Sequence, residues 1–181
     1  MSTDPFQLYL VIAQIAATFA GFGSLASGLG QAHADDARVD ASRLALMLFA
    51  SLSATLLGLL PGTLGGIGLG ATQAVQVSAA AAVVAMIAYA PFAARRSSRI
   101  WHVGGYTMAA TAANGVCVVI SLAAFGLCAA GAARGQVAGL YLVGLLGLLA
   151  SSVLTFSRVI ASMLRRHTYV DNGDGRGGKR G

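Results

Sequence analysis

Two amides stand near the middle of long apolar runs, Gln14 in the first and Asn114 in the fourth. An amide taken out of water without a hydrogen-bond partner costs several kcal/mol, and hydrocarbon supplies no partner. By helical rise, Gln14 lies about 12 Å from Phe6 and Asn114 about 13 Å from Gly105, both near the centre of a ~30 Å apolar layer. The two runs enter from opposite sides, so the amides are candidates for each other. Each heads a stripe of hydroxyls and small residues at helical spacing. Gln14 is followed by Thr18, Gly21 and Gly28, with Ser24 alongside, and Asn114 sits among Thr107, Thr111 and Ser121. The fifth run carries Gly144, Gly147, Ser151, Thr155 and Arg158 on one face, and the second carries Ser51, Thr55 and Gly58. Such stripes can do one of two things. Small residues let helices approach and hydroxyls or amides bond across the contact; alternatively, polar side chains inside a membrane line a pathway or site. Packing is the leading reading for each stripe. For Arg158, about two turns before its helix ends, snorkelling to the interface is preferred over an inward ion pair with Asp35, Asp36 or Asp40.

Other reactive side chains are sparse. The chain has three histidines, two cysteines, six aspartates and no glutamate. His33, His102 and His167 come from separate segments without the local spacing of metal ligands, so no metal site is expected. Cys117 and Cys128 share one run and are separated by about 16 Å of helical rise, too far for a disulfide. Asp171 to Gly175 lacks the alternating oxygen ligands and closing Glu of a calcium loop. All six aspartates lie outside the apolar runs, which leaves no intramembrane carboxylate for a proton relay. No P-loop, nucleophile-elbow or zinc-protease motif occurs. These observations predict a non-enzymatic protein without a cofactor.

The elements that position these residues follow from composition. Of 181 residues 56% are hydrophobic and 10% charged, against about 25% charged in ordinary soluble domains. Five runs reach the ~20 apolar residues needed to cross a bilayer as a helix. They cover about 6–29, 41–60, 71–92, 105–132 and 136–164. They are too long for barrel strands and lack the alternation of such strands. The expectation is an all-α integral membrane bundle of five transmembrane helices in one domain over 1–164. Pro61-Gly62 is expected to end or kink the second helix, with 62–70 a loop or a loose extension. Residues 165–181 read as a basic, glycine-rich, disordered tail.

Charge placement sets the expected orientation. Arg38, Arg43, Arg95, Arg96, Arg99, Arg158, Arg165, Arg166, Arg176, Lys179 and Arg180 fall on one side of a five-span chain, and Arg134 alone on the other. This bias predicts an outside N-terminus and an inside C-terminus in a bacterial-type inner membrane. Trp101, Tyr106, Tyr89 and Phe92 read as interfacial anchors. The formal charge of +6 is therefore a membrane signal and not a nucleic-acid one. Basic residues of the tail could meet anionic lipid at the inner surface. Residues 1–5 carry no basic residue before the first run, unlike a secretory signal.

The stretch Ala17-Thr18-Phe19-Ala20-Gly21-Phe22, an Arg before the second helix (Arg43), and a final helix from Leu140-Tyr141-Leu142 through Phe156-Ser157-Arg158 resemble a broad group of small uncharacterised bacterial multi-span membrane proteins. The resemblance implies the helical membrane architecture and no particular activity. Two functions follow as expectations: a bundle acting through packing with itself or another membrane protein, or a small oligomeric channel or transporter whose polar row includes Gln14, Thr18, Thr111, Asn114 and Ser151.

Overall fold

The computed structural model describes residues 5–29, 34–101, 108–132 and 135–174. They form α1 (Pro5–Leu29), α2 (Ala34–Gly66), α3 (Ala71–Trp101), α4 (Met108–Ala129) and α5 (Val137–Asp174), with no strand among the described residues. All five contain stretches long and apolar enough to cross a membrane: Pro5–Gly23, Leu44–Gly66, Ala71–Arg95, Thr111–Ala129 and Val137–Ala161.

The helices form an up-and-down bundle. Pro5, the α2–α3 turn and the α4–α5 turn share one pole, because Gly58 lies against Tyr9 and Ala13, Tyr9 reaches Ala138, and Gln76 approaches Gly131. The opposite pole carries the arginine-rich helix ends near Trp101 and Arg158. Among the described residues α5 touches every other helix, whereas α1 touches only α2 and α5.

The outside of the bundle is apolar, and many of its buried positions are small. Large aliphatic groups such as Leu56 and Val84 are exposed, at 68% and 67%. Ala16, Ala54, Ala79, Ala82, Ser51, Ser78, Ser121 and Ser152 are fully buried. Lipid tails are as apolar as leucine, so helices there gain by close backbone approach rather than by hiding leucine. The glycines show how close that approach is. A Cβ on Gly58 would lie 2.8 Å from the Tyr9 carbonyl oxygen, and one on Gly144 would lie 2.6–2.8 Å from the Phe125 ring. One on Gly147 would strike the Ser121 hydroxyl.

Several boundaries differ from those expected of the sequence. Pro61 neither ends nor replaces a turn of α2, which continues to Gly66. Proline has no N–H to give to the carbonyl four residues back, that of Leu57. Tyr141 on α5 supplies the missing donor: its hydroxyl donates to the Leu57 oxygen at 2.6 Å. The stretch 62–70 is accordingly one more helical turn followed by a tight cap. Gly68, at φ 98°, takes the left-handed conformation; its N–H bonds the Gly65 carbonyl, and the Leu69 N–H bonds that of Leu64. The same Schellman arrangement ends α4 at Ala129 rather than 132, with Gly131 at φ 64° and bonds to Cys128 and Leu127. Helix α3 runs past residue 92, through Pro91, to Trp101. Helix α5 runs to Asp174, into the segment expected to be disordered from residue 165; between Gly147 and Gly173 it contains no Gly or Pro. Residues 175–181 of that tail, and 102–107 before α4, lie outside the described residues.

Candidate functional site

Of the polar side chains inside the bundle, Ser78 is buried on α3 and Ser51 on α2, the latter with its hydroxyl unpartnered among the described residues; several others lie together on the seam between α4 and α5. Gly147 lets the two helices close there, and Ser151, one turn further, donates its hydroxyl to the Asn114 Oδ1 at 2.6 Å. Thr155 is buried one turn below and donates to the Ser151 carbonyl at 2.9 Å. Asn114 has spent one of its two amide atoms. Whichever way the amide is turned, the other makes no hydrogen bond among the described residues. Thr111, one turn towards the arginine pole, is half-buried, with its hydroxyl oxygen shielded and without a partner among the described residues.

Asn114, Ser151 and Thr155 form one corner of a cavity of about 290 Å³ enclosed by α2, α3, α4 and α5. Its deep end, towards the middle of the bundle, is closed by Leu57, Ala82 and Leu148. Across from the polar corner, Phe49 and Tyr89 stack with ring centroids 3.4 Å apart and planes 6° from parallel. Helices α3 and α4 meet near the turn pole, where Val75 and Ala79 join Phe125 and Cys128 in the core. Nearer the arginine pole the cavity lies between them. Its exposed lining residues, such as Ile87 on α3 and Val118 and Leu122 on α4, put its open side on the apolar outer surface of the bundle.

Gln14 and Thr18 are elsewhere. Helix α1 buries Tyr9, Ile12, Ala13 and Ala16 against its neighbours, which turns Gln14, Thr18 and Gly21 outward, all exposed. The pairing of Gln14 with Asn114 expected from depth alone is therefore not made. Depth fixes how far along a helix a residue lies, while the packing face of α1 decides its direction, and that face is the tyrosine and alanine stripe. Thr18 donates to the Gln14 backbone carbonyl at 2.9 Å, so its hydroxyl is satisfied within the helix. The Gln14 side-chain amide has no partner in its own chain among the described residues.

Arg158 is half-buried on α5, three residues beyond Thr155. The side chains of Asp35, Asp36 and Asp40, its suggested partners, lie outside the described residues, as do those of His33, His102, His167, Trp101 and Tyr106. Of the four aromatic side chains expected as interfacial anchors, Tyr89 is half-buried and stacks on Phe49, with Phe92 5.3 Å away.

A second cluster near the turn pole was not marked out by spacing. Tyr9 and Tyr141 meet edge to face at 5.2 Å, and Phe125 packs on Tyr141 at 5.4 Å. The Tyr9 hydroxyl donates to the Ala138 carbonyl at 3.1 Å, and the Cys128 thiol to that of Val137 at 3.5 Å. The available signal was that two phenols inside apolar runs each need an acceptor, and that Pro61 leaves one at Leu57. The cluster is closed and uses its polar atoms internally, so it serves packing.

No family model matches the chain, and neither a curated protein nor a solved structure matches it.

Proposed function

We propose that this chain is a non-enzymatic inner-membrane protein of bacterial type that acts by assembling with a second copy of itself through the outward face of α1. In this reading the arginine pole faces the cytoplasm, and the chain is kin to the small multi-span bacterial proteins its first helix resembles. One observation carries the proposal: the exposed, unpartnered amide of Gln14. It lies about 13 Å along α1 from Pro5, too deep in a ~30 Å core for its short side chain to reach the interface. A lone amide in hydrocarbon is costly, and a carboxamide holds both a donor and an acceptor. Two copies related by a two-fold axis satisfy each other there, as a self-complementary interface requires. Ala17 and Gly21, on the same outward side, allow the two backbones to close. The close-approach glycines of α2 and α5, Gly58, Gly144 and Gly147, are by contrast used within the chain.

The polar row on which a channel or transporter would depend is divided in one chain. Gln14 and Thr18 face outward on α1, while Asn114 and Ser151 lie on the α4–α5 seam. The test is the association of fluorescently labelled protein in vesicles, followed by energy transfer on dilution with lipid. The natural chain is expected to associate. Gln14→Leu should weaken association by about tenfold, corresponding to an intramembrane amide contact of about 1–2 kcal/mol. A monomer at all dilutions, or unchanged association of Gln14→Leu, would sink the proposal.

A further inference from the structure

We infer that the cavity between α2, α3, α4 and α5 is a binding site for an uncharged lipid-like molecule, a hydrocarbon chain carrying one carbonyl or hydroxyl oxygen, which enters sideways from the bilayer. The inference does not involve α1, so it stands or falls separately from self-association.

Three features of the cavity define its occupant. The first is its wall. About 290 Å³ is at the lower end of small-molecule sites, which start near ~300 Å³ and are mostly apolar with a few placed polar groups. Alanine, leucine, methionine and aromatic side chains make most of the lining, and among the described residues that line it none carries a charge. A charged headgroup would be desolvated here without a counter-ion, at a cost of several kcal/mol. The occupant is therefore neutral.

The second feature is the polar corner. Ser151 holds Asn114 in place through a 2.6 Å bond, and Thr155 holds the α5 backbone beside it. The amide is thus oriented by the protein and still has one polar atom unspent. Asn114 lines the cavity, so half of its hydrogen-bonding capacity is left for an occupant. As drawn by the Ser151 bond, the unspent atom is Nδ2, a donor. Its complement is an acceptor oxygen, either a carbonyl or the oxygen of a hydroxyl.

The third feature is access. Ile87, Val118 and Leu122 line the cavity and are also exposed on the outside of the bundle, so the route to the polar corner runs through apolar surface. A molecule arriving this way never leaves the hydrocarbon. A water-soluble metabolite would have to cross the same apolar rim, which selects against it.

The experiment uses the full-length protein in phosphatidylcholine vesicles and a diazirine-bearing long-chain alcohol as photoreactive probe, with labelled peptides mapped after irradiation. Labelling should fall on α3 and α4 residues that line the cavity, saturate with probe, and be displaced by the same alcohol without the diazirine. Asn114→Leu should lower probe affinity by about tenfold, the worth of one neutral hydrogen bond in a shielded site. Ala85→Trp, a change at an exposed lining position, should fill the cavity and abolish saturable labelling while leaving Asn114 untouched. Both variants are compared at equal thermal stability of the detergent-extracted protein, so that unfolding is not read as lost binding. A probe with a carboxylate in place of the hydroxyl should label only weakly. Unsaturable labelling spread over the outer surface, equal labelling of Ala85→Trp, or equal labelling by the carboxylate probe would each overturn the inference.

Discussion

The phenolic oxygen of Tyr141 and the carbonyl oxygen of Leu57 lie 2.6 Å apart, and this bond stands where the backbone donor of Pro61 is missing. It joins α5 to α2 at the interior carbonyl that Pro61 leaves without its helical donor.

Removing the hydroxyl should therefore expose a specific debt. Tyr141→Phe leaves the Leu57 carbonyl without that partner in a buried position and should destabilise the bundle by about 1–3 kcal/mol. Pro61→Ala restores an N–H to α2. In the Pro61→Ala background, Tyr141→Phe should cost clearly less. Unfolding titrations in mixed micelles measure all four proteins; strict additivity would show that the phenol does not stand in for the backbone donor.

The seam between α4 and α5 calls for a second cycle. Ser151→Ala and Asn114→Leu should each cost about 0.5–2 kcal/mol, and together less than their sum, because they remove the same bond. Gln14→Leu and Asn114→Leu should be additive, since the structure puts their side chains on different faces. Coupling between Gln14 and Asn114 instead would mean that α1 packs with its other face inward.

Glycines separate close packing from helix propensity. Gly144→Ala must displace the Phe125 ring and should cost about 1–3 kcal/mol, as overpacking does. Gly126, also within its helix, would place a Cβ with nothing within 4 Å; Gly126→Ala should be neutral or stabilise by about 0.5–1 kcal/mol. Opposite signs in the same unfolding assay are the expected result.

Orientation is open to reporter fusions. Fusions after Gly181 and in the segment at Arg96 should report the cytoplasm, and one at the Gly68 turn should report the outside. A cytoplasmic signal at Gly68 would reverse the proposed insertion.

The five helices were legible because an uninterrupted apolar run of sufficient length has few alternatives to a spanning helix. Their ends were less so. Pro61 reads as a terminator when only the local chain is considered; the donor that lets α2 continue lies on α5, 84 residues from the Leu57 carbonyl it serves. The need of Asn114 for a partner was legible, but Ser151 was named only as another member of the row. Rotation about the helix axis was the missing quantity. In α1 nearly every position is apolar or small, so the sequence offers no strong apolar stripe to turn inward, and the rule for membrane interiors points its polar side inward. The fit of Tyr9 against Tyr141 and of Ala13 against Gly58 decides otherwise. The cavity is a property of four helices together and leaves no trace in any one of them.

The hydroxyls of Thr18, Ser78, Ser121, Ser152, Thr155 and Ser157 each bond the carbonyl four residues back in their own helix, so these groups can enter hydrocarbon before any neighbour arrives. The acceptors and donors that do wait for a neighbour converge on α5: Ala138 for Tyr9, Tyr141 for Leu57, Val137 for Cys128 and Ser151 for Asn114. Because α5 is the last of the five helices in the chain, these groups on the earlier helices find their partners only once the final helix has been made.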